Sequence, residues 1–152
     1  METAAPALGA KKILVIDDNQ VVLKAMSFLL GAKGFRVVTA ETGSEALSLL
    51  RKDHPDLILL DLDFPPDPGN VCGTLRDGFL ILDWARHMGN AENIPVIIVS
   101  GLDPAKYTER AEAHGILAIF QKPVNKEKLL EAVHEMFGGT PSLNVAPSPA
   151  PS

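Results

Sequence analysis

Five short apolar runs recur along the chain, Ile13 to Ile16, Phe35 to Thr39, Leu57 to Leu60, Val96 to Val99 and Ile116 to Phe120, and helical patterns separate them. Near-continuous apolarity marks strands covered on both faces, as in a parallel sheet. Between the runs, Val22, Met26, Leu29 and Leu30 fall at the i, i+4, i+7, i+8 positions of a one-sided helix, and Leu129, Val133, Met136 and Phe137 repeat that spacing. Thr42 and Glu45 stand at capping-box spacing, and Gly138 follows the last apolar turn, where a helix should stop. Gly78 opens a third helix over Phe79 to Met88, whose apolar stripe, Trp84 included, is assigned to the core. A fourth helix fits Ala105 to Ala113, after Asp103 and Pro104 and before Gly115. Five strands alternating with five helices predict an α/β fold, a doubly wound five-stranded parallel sheet with right-handed crossovers. In that architecture ligands bind outside the carboxyl ends of the strands.

Length fits this reading: 152 residues, 46% of them hydrophobic, suit one domain with a buried core. Residues 11–137 carry the patterned part. Residues 1–10 are small and expected to be flexible, and residues 138–152, rich in Pro, Ser and Ala, read as a disordered tail. The net charge of -5 argues against binding a nucleic-acid backbone, which requires a basic surface. Cys72 is the only cysteine, so neither an internal disulfide nor a thiolate zinc cluster can form. No run of about 18 apolar residues occurs, and residues 1–12 lack the apolar stretch of a signal peptide. A cytoplasmic protein that does not enter a membrane is expected.

Polar residues stand at the ends of the apolar runs: Asp17 and Asp18 after the first, Asp61 after the third, Ser100 after the fourth and Lys122 after the fifth. A parallel sheet brings all five to one rim. Three carboxylates crowded there repel one another unless a cation lies between them. Mg2+ suits such a site, because it prefers oxygen ligands and keeps several waters. A carboxylate is also a competent nucleophile toward phosphorus, and Asp61 holds the central place. Lys122 and a cation would neutralise the transferring phosphoryl oxygens, and the Ser100 hydroxyl would hydrogen-bond one of them.

With these residues in view, the chain resembles the receiver domain of two-component response regulators. The resemblance rests on Ile13-Leu14-Val15-Ile16-Asp17-Asp18-Asn19, Asp56-Leu57-Ile58-Leu59-Leu60-Asp61, Ile94-Pro95-Val96-Ile97-Ile98-Val99-Ser100-Gly101 and Lys122-Pro123, and it covers residues 11–137. It implies a flavodoxin-like receiver fold, with Asp61 as phosphoacceptor, Asp18 as a direct Mg2+ ligand and Asp17 holding the ion largely through water. It further implies that Asp63 lends its main-chain carbonyl to the ion. Ser100 matches the family's switch hydroxyl and Lys122 its paired lysine, followed by a proline whose peptide bond is usually cis. The implied phosphodonor is a phosphohistidine on a sensor histidine kinase or phosphotransfer protein. A downstream protein target would read the phosphorylated state, and the face between the fourth and fifth helices is the family's usual homodimer surface.

Two features depart from the family pattern. The 17 positions from Asp61 to Gly78 are about twice the usual spacing, so residues 64–77, with Pro65, Pro66, Pro68 and Gly69, are expected to form an ordered or semi-rigid flap over the cleft, which would restrict access to Asp61 or offer a partner-specific surface, the alternative being a neutral surface insertion. Three positions before Lys122, where receivers commonly carry a switch tyrosine or phenylalanine, stands Ile119; Phe120 should face the other side of its strand. Two other readings are therefore weighed: a phosphorylation-independent pseudo-receiver scaffold, and a Mg2+-dependent phosphohydrolase with an aspartyl-phosphate intermediate. Hydrolases of the haloacid-dehalogenase type place their nucleophile after the first strand with an acid two residues on, whereas the first strand here ends in the adjacent pair Asp17-Asp18. His54, His87, His114 and His134 lie in or beside helical patterns and carry no predicted role in catalysis.

Overall fold

The computed structural model describes residues 11–62, 78–87, 94–101, 103–138 and 144–145. The strands are β1 (Lys12–Ile16), β2 (Arg36–Ala40), β3 (Leu57–Leu60), β4 (Val96–Ser100), β5 (Ala118–Gln121) and β6 (Asn144–Val145). The helices are α1 (Gln20–Gly31), α2 (Gly43–Asp53), α3 (Gly78–His87), α4 (Thr108–Ala113) and α5 (Lys126–Gly138). All pairings are parallel, in the order β2-β1-β3-β4-β5-β6. The predicted five-stranded sheet with five helices is present. At its edge a further two-residue strand, Asn144–Val145, pairs with Ala118 and Ile119 of β5.

Why the apolar runs become central strands is visible in their burial. Each residue of β3 is at most 1% exposed, and β4 is buried throughout. Alternate residues supply opposite faces, as the twofold period of a strand requires. Leu14, Ile16, Ile58, Leu60 and Ile98 pack with α2 and α3, whereas Ile13, Val15, Leu57, Leu59 and Ile97 pack with α1 and α5. On β5, Ile119 joins the first cluster and Phe120 the second, as their alternation predicts.

The helices begin where their caps place them. The Thr42 hydroxyl accepts a hydrogen bond from the Glu45 N–H at 3.1 Å, and the Glu45 carboxylate accepts one from the Glu41 N–H at 2.8 Å. These satisfy amides that the helix itself leaves unpaired. Asn19 caps α1, its side-chain oxygen accepting from Val21 N–H at 2.8 Å and Val22 N–H at 3.3 Å. The buried stripe of α1 is Leu23, Met26 and Leu30, with Val22 and Leu29 half-buried. Leu129 and Val133 are the buried residues of the α5 stripe, while Met136 and Phe137 are half-buried.

Two helices differ from their predicted form. In α3, Phe79, Ile81, Leu82 and Ala85 face the core, but Trp84 is 47% exposed, because it falls off the inward stripe. The expected helix over Ala105 to Ala113 is broken: a 3-10 turn, Pro104–Lys106, capped by Asp103, gives way at Tyr107 to α4. Tyr107 has φ -140° and ψ 11°, outside the helical region, so the two pieces are not one helix. His114 ties α4 to α3, its Nε2 lying 2.8 Å from Asp83 Oδ1 and its Nδ1 2.8 Å from the Arg110 carbonyl. No described helix is long and apolar enough to cross a membrane.

Candidate functional site

The parallel register delivers the rim residues. Ile16 pairs with both Ala40 and Leu60, and Ser100 pairs with Gln121, so the next residue of each chain segment emerges at the same edge. Main-chain bonds continue past the strand ends: Asp17 N–H donates to the Ala40 carbonyl at 3.1 Å, Asp61 N–H to Ile16 at 2.9 Å and Lys122 N–H to Ser100 at 2.8 Å. Those bonds hold the backbone beneath the acids and the lysine.

One carboxylate oxygen from each of Asp17, Asp18 and Asp61 can be chosen so that all three lie within 4.8 Å of one another. Asp17 is 3% exposed and Asp61 5%, whereas Asp18 reaches solvent. Asp17 is fixed at both oxygens: Oδ1 accepts from Asn19 N–H at 2.9 Å and Oδ2 from Lys122 Nζ at 2.6 Å. Lys122 Nζ also lies 3.7 Å from Asp61 Oδ2. Ser100 is wholly buried at the end of β4. The Lys122-Pro123 peptide bond is cis.

Electrostatics follow from this crowding. Burial, and then the Asp17 charge, hold the Asp18 carboxyl above the ordinary aspartate value. Burial alone would lower the Lys122 ammonium, but the hydrogen bond to Asp17 and the charges of Asp61, Asp17 and Asp18 outweigh it and raise it. Lys122 is therefore a permanent cation against two buried carboxylates. The donor set is all oxygen, with more negative charge than one lysine balances, and that is the chemistry a hard divalent cation such as Mg2+ fits.

Asp63, whose carbonyl the resemblance placed on the ion, lies outside the described residues, as do the inserted loop 64–77 and Cys72. None of the four histidines belongs to the acidic cluster: His54 ends α2 with a left-handed φ of 48°, His87 ends α3, His114 bonds to Asp83, and His134 stacks against Phe35. Two residues near the site went unassigned in the sequence. Asn19 orients Asp17 through its main chain while capping α1, a dual use that the Asp-Asp-Asn order before an apolar stripe does signal. Tyr107 is 5% exposed, and no described residue hydrogen-bonds its hydroxyl.

Burial first, then the charges of Asp103 and Asp61, push the Tyr107 phenol up to about 12. The folded state thus favours the neutral phenol. Its contribution to stability is complete below the ordinary value of 10.0 and is lost as pH rises through about 12. Since this is the chain's one tyrosine, alkaline absorbance titration should show a single midpoint near 12 in the folded protein. A midpoint near 10.0, the ordinary value, with the fold intact would contradict the buried placement.

Fold and rim together define one α/β domain built around an acidic cleft anchored by a lysine. The sequence profile of the response regulator receiver domain matches residues 13–134, and the chain belongs to that family. It is thus a receiver domain of two-component signalling, a family of switches rather than conventional enzymes. It is 28% identical over 128 residues to the polar-differentiation response regulator DivK of Brucella ovis, covering 84% of this chain and 97% of that protein. Among solved structures, a CheY-like receiver domain protein from Methanospirillum hungatei JF-1 superposes with a TM-score of 0.71 at 26% identity, covering 84% of this chain and 94% of that one. Chemotaxis response regulator CheY4 of Vibrio cholerae does so with a TM-score of 0.69 at 27% identity, covering 83% and 98%.

Proposed function

We propose that this receiver accepts a phosphoryl group on Asp61 from a phosphohistidine donor, with Mg2+ bound, and that the phosphorylated form docks to a downstream protein. The observation that carries the reading is the grouping of carboxylate oxygens of Asp17, Asp18 and Asp61 within 4.8 Å of one another, with the Lys122 ammonium against Asp17 and Asp61. Asp61 Oδ attacks phosphorus, the N–P bond of the donor breaks as the O–P bond forms, and the departing imidazole keeps the electron pair. Lys122 sits where it can offset charge on a phosphoryl oxygen, and the Ser100 hydroxyl can donate to another. Asp18 and Asp61 would hold the Mg2+ directly, Asp17 largely through water, with the Asp63 carbonyl as a further ligand. When bound, the ion supplies positive charge for the phosphoryl oxygens.

A sensor histidine kinase or a histidine phosphotransfer protein is the expected donor, and its label offers the test. Mixed with a phosphotransfer protein carrying a labelled phosphohistidine, this chain should take up at most one phosphoryl group and show no sustained turnover of phosphomonoesters. Continuous phosphate release from a range of phosphomonoesters would instead favour the phosphohydrolase. Absence of label from this chain, with the donor active toward another receiver, would favour the scaffold.

A further inference from the structure

A tyrosine hydroxyl buried without a partner gives up its hydrogen bonds to water and receives nothing in return, so such a group calls for an explanation. Tyr107 presents this case: it is 5% exposed, and its hydroxyl has no hydrogen-bond partner among the described residues. Its ring is held in place. The ring centroid lies 6.3 Å from that of Phe79, a buried residue of α3, and Arg110 stacks on the other ring of the pair, 4.4 Å from the Phe79 centroid. Tyr107 belongs to the same buried cluster as Ile119 and Ile98. An aromatic ring is therefore supplied to this cluster from position 107, while β5 contributes the aliphatic Ile119.

The backbone at Tyr107 is equally distinctive. Its N–H donates to the Pro104 carbonyl at 3.0 Å, closing the 3-10 turn, and its carbonyl accepts from Ala111 N–H at 2.9 Å, opening α4. One residue thus joins the segment leaving β4 to the first turn of α4. Tyr107 stands seven residues past Ser100 in the segment that leaves β4 at the rim and shares its buried cluster with Leu60 and Leu62, which flank Asp61; the Asp61 charge adds to the burial that raises the phenol.

We propose that Tyr107 is a positioning residue that reads the state of Asp61: once an acyl phosphate forms there, the Tyr107 hydroxyl donates to a phosphoryl oxygen, directly or through one water, and the start of α4 follows. The inference rests on the reading of Asp61 as phosphoacceptor. A phosphoryl group brings strong acceptor oxygens and negative charge to the rim, which an unpartnered donor can use. A single bridging water costs such a contact little. Because the ring is fixed between α3 and the turn, a small movement of the hydroxyl is transmitted to the backbone that begins α4.

The chain has one tyrosine, so replacing it with 3-fluorotyrosine gives a 19F spectrum that reports on position 107 alone. Samples are incubated with Mg2+ and a small acyl phosphate donor, and intact mass is recorded on the same material. The expected result is a second 19F resonance whose intensity tracks the phosphorylated fraction. In parallel, Tyr107→Phe, which keeps the ring, should bind beryllofluoride with Mg2+ about ten-fold more weakly than the native chain, the loss of one charge-assisted hydrogen bond. Its affinity for Mg2+ alone should not change. An unmoved resonance in a sample whose mass shows the phosphoryl group, or unaltered beryllofluoride binding by Tyr107→Phe, would overturn the proposal. If no mass is gained, the reading of Asp61 fails, and this inference falls with it.

Discussion

Lys122→Met is expected to lower the rate of phosphoryl transfer to Asp61 by about 100-fold, the usual cost of removing one preorganised charge from a site where negative charge develops. Methionine keeps the length of the aliphatic stem but not the ammonium, which lies 2.6 Å from Asp17 and 3.7 Å from Asp61. The same substitution leaves two carboxylates, 3% and 5% exposed, without their cation. Removing one partner of a fully buried pair costs roughly 3–5 kcal/mol. Lys122 is 28% exposed, so solvent screening reduces this to about 2–3 kcal/mol. Urea unfolding with and without Mg2+ separates the two effects: added Mg2+ should restore much of the lost stability but little of the rate. A variant as fast and as stable as the native chain would show that the lysine is incidental to the cleft.

Leu60→Ala should destabilise the domain by about 2–5 kcal/mol, the range for emptying a buried leucine site. Leu60 is fully buried in β3, pairs with Ile16 on one side and Ile98 on the other, and immediately precedes Asp61. The vacated space lies between the sheet and the α2–α3 layer, and these close-packed elements can only partly collapse into it. A shift of the urea midpoint with an unchanged slope would report lost packing alone. A loss below about 1 kcal/mol would mean that this layer is more loosely packed than its burial indicates.

The strands and the rim were legible because they depend on patterns that tertiary structure seldom overrides. Apolar runs such as Ile13 to Ile16 and Leu57 to Leu60 needed cover on both faces, and a parallel arrangement puts the residue after each run at one edge. The Thr42 cap and the opposite facing of Ile119 and Phe120 likewise follow from local geometry. Other features depend on facts that sequence pattern does not carry. The break at Tyr107 comes from a 3-10 turn competing with a short helix, and both fit the same spacing. The hydrophobicity of Trp84 points to the core, but its angular position on α3 leaves it 47% exposed. The strand Asn144–Val145 lies in a segment too polar and proline-rich to announce itself, and it forms by borrowing the free edge of β5. Asn19 stands in the Asp-Asp-Asn motif as one more polar residue, yet its main-chain N–H is what fixes Asp17 Oδ1.

The most direct test of the phosphoacceptor reading is intact mass after incubation with Mg2+ and a small acyl phosphate donor, comparing the native chain with Asp61→Asn. The native chain should gain one phosphoryl group, and the gain should vanish without Mg2+ and in Asp61→Asn. No gain by a native chain that binds Mg2+, or an equal gain by Asp61→Asn, would contradict the assignment of Asp61.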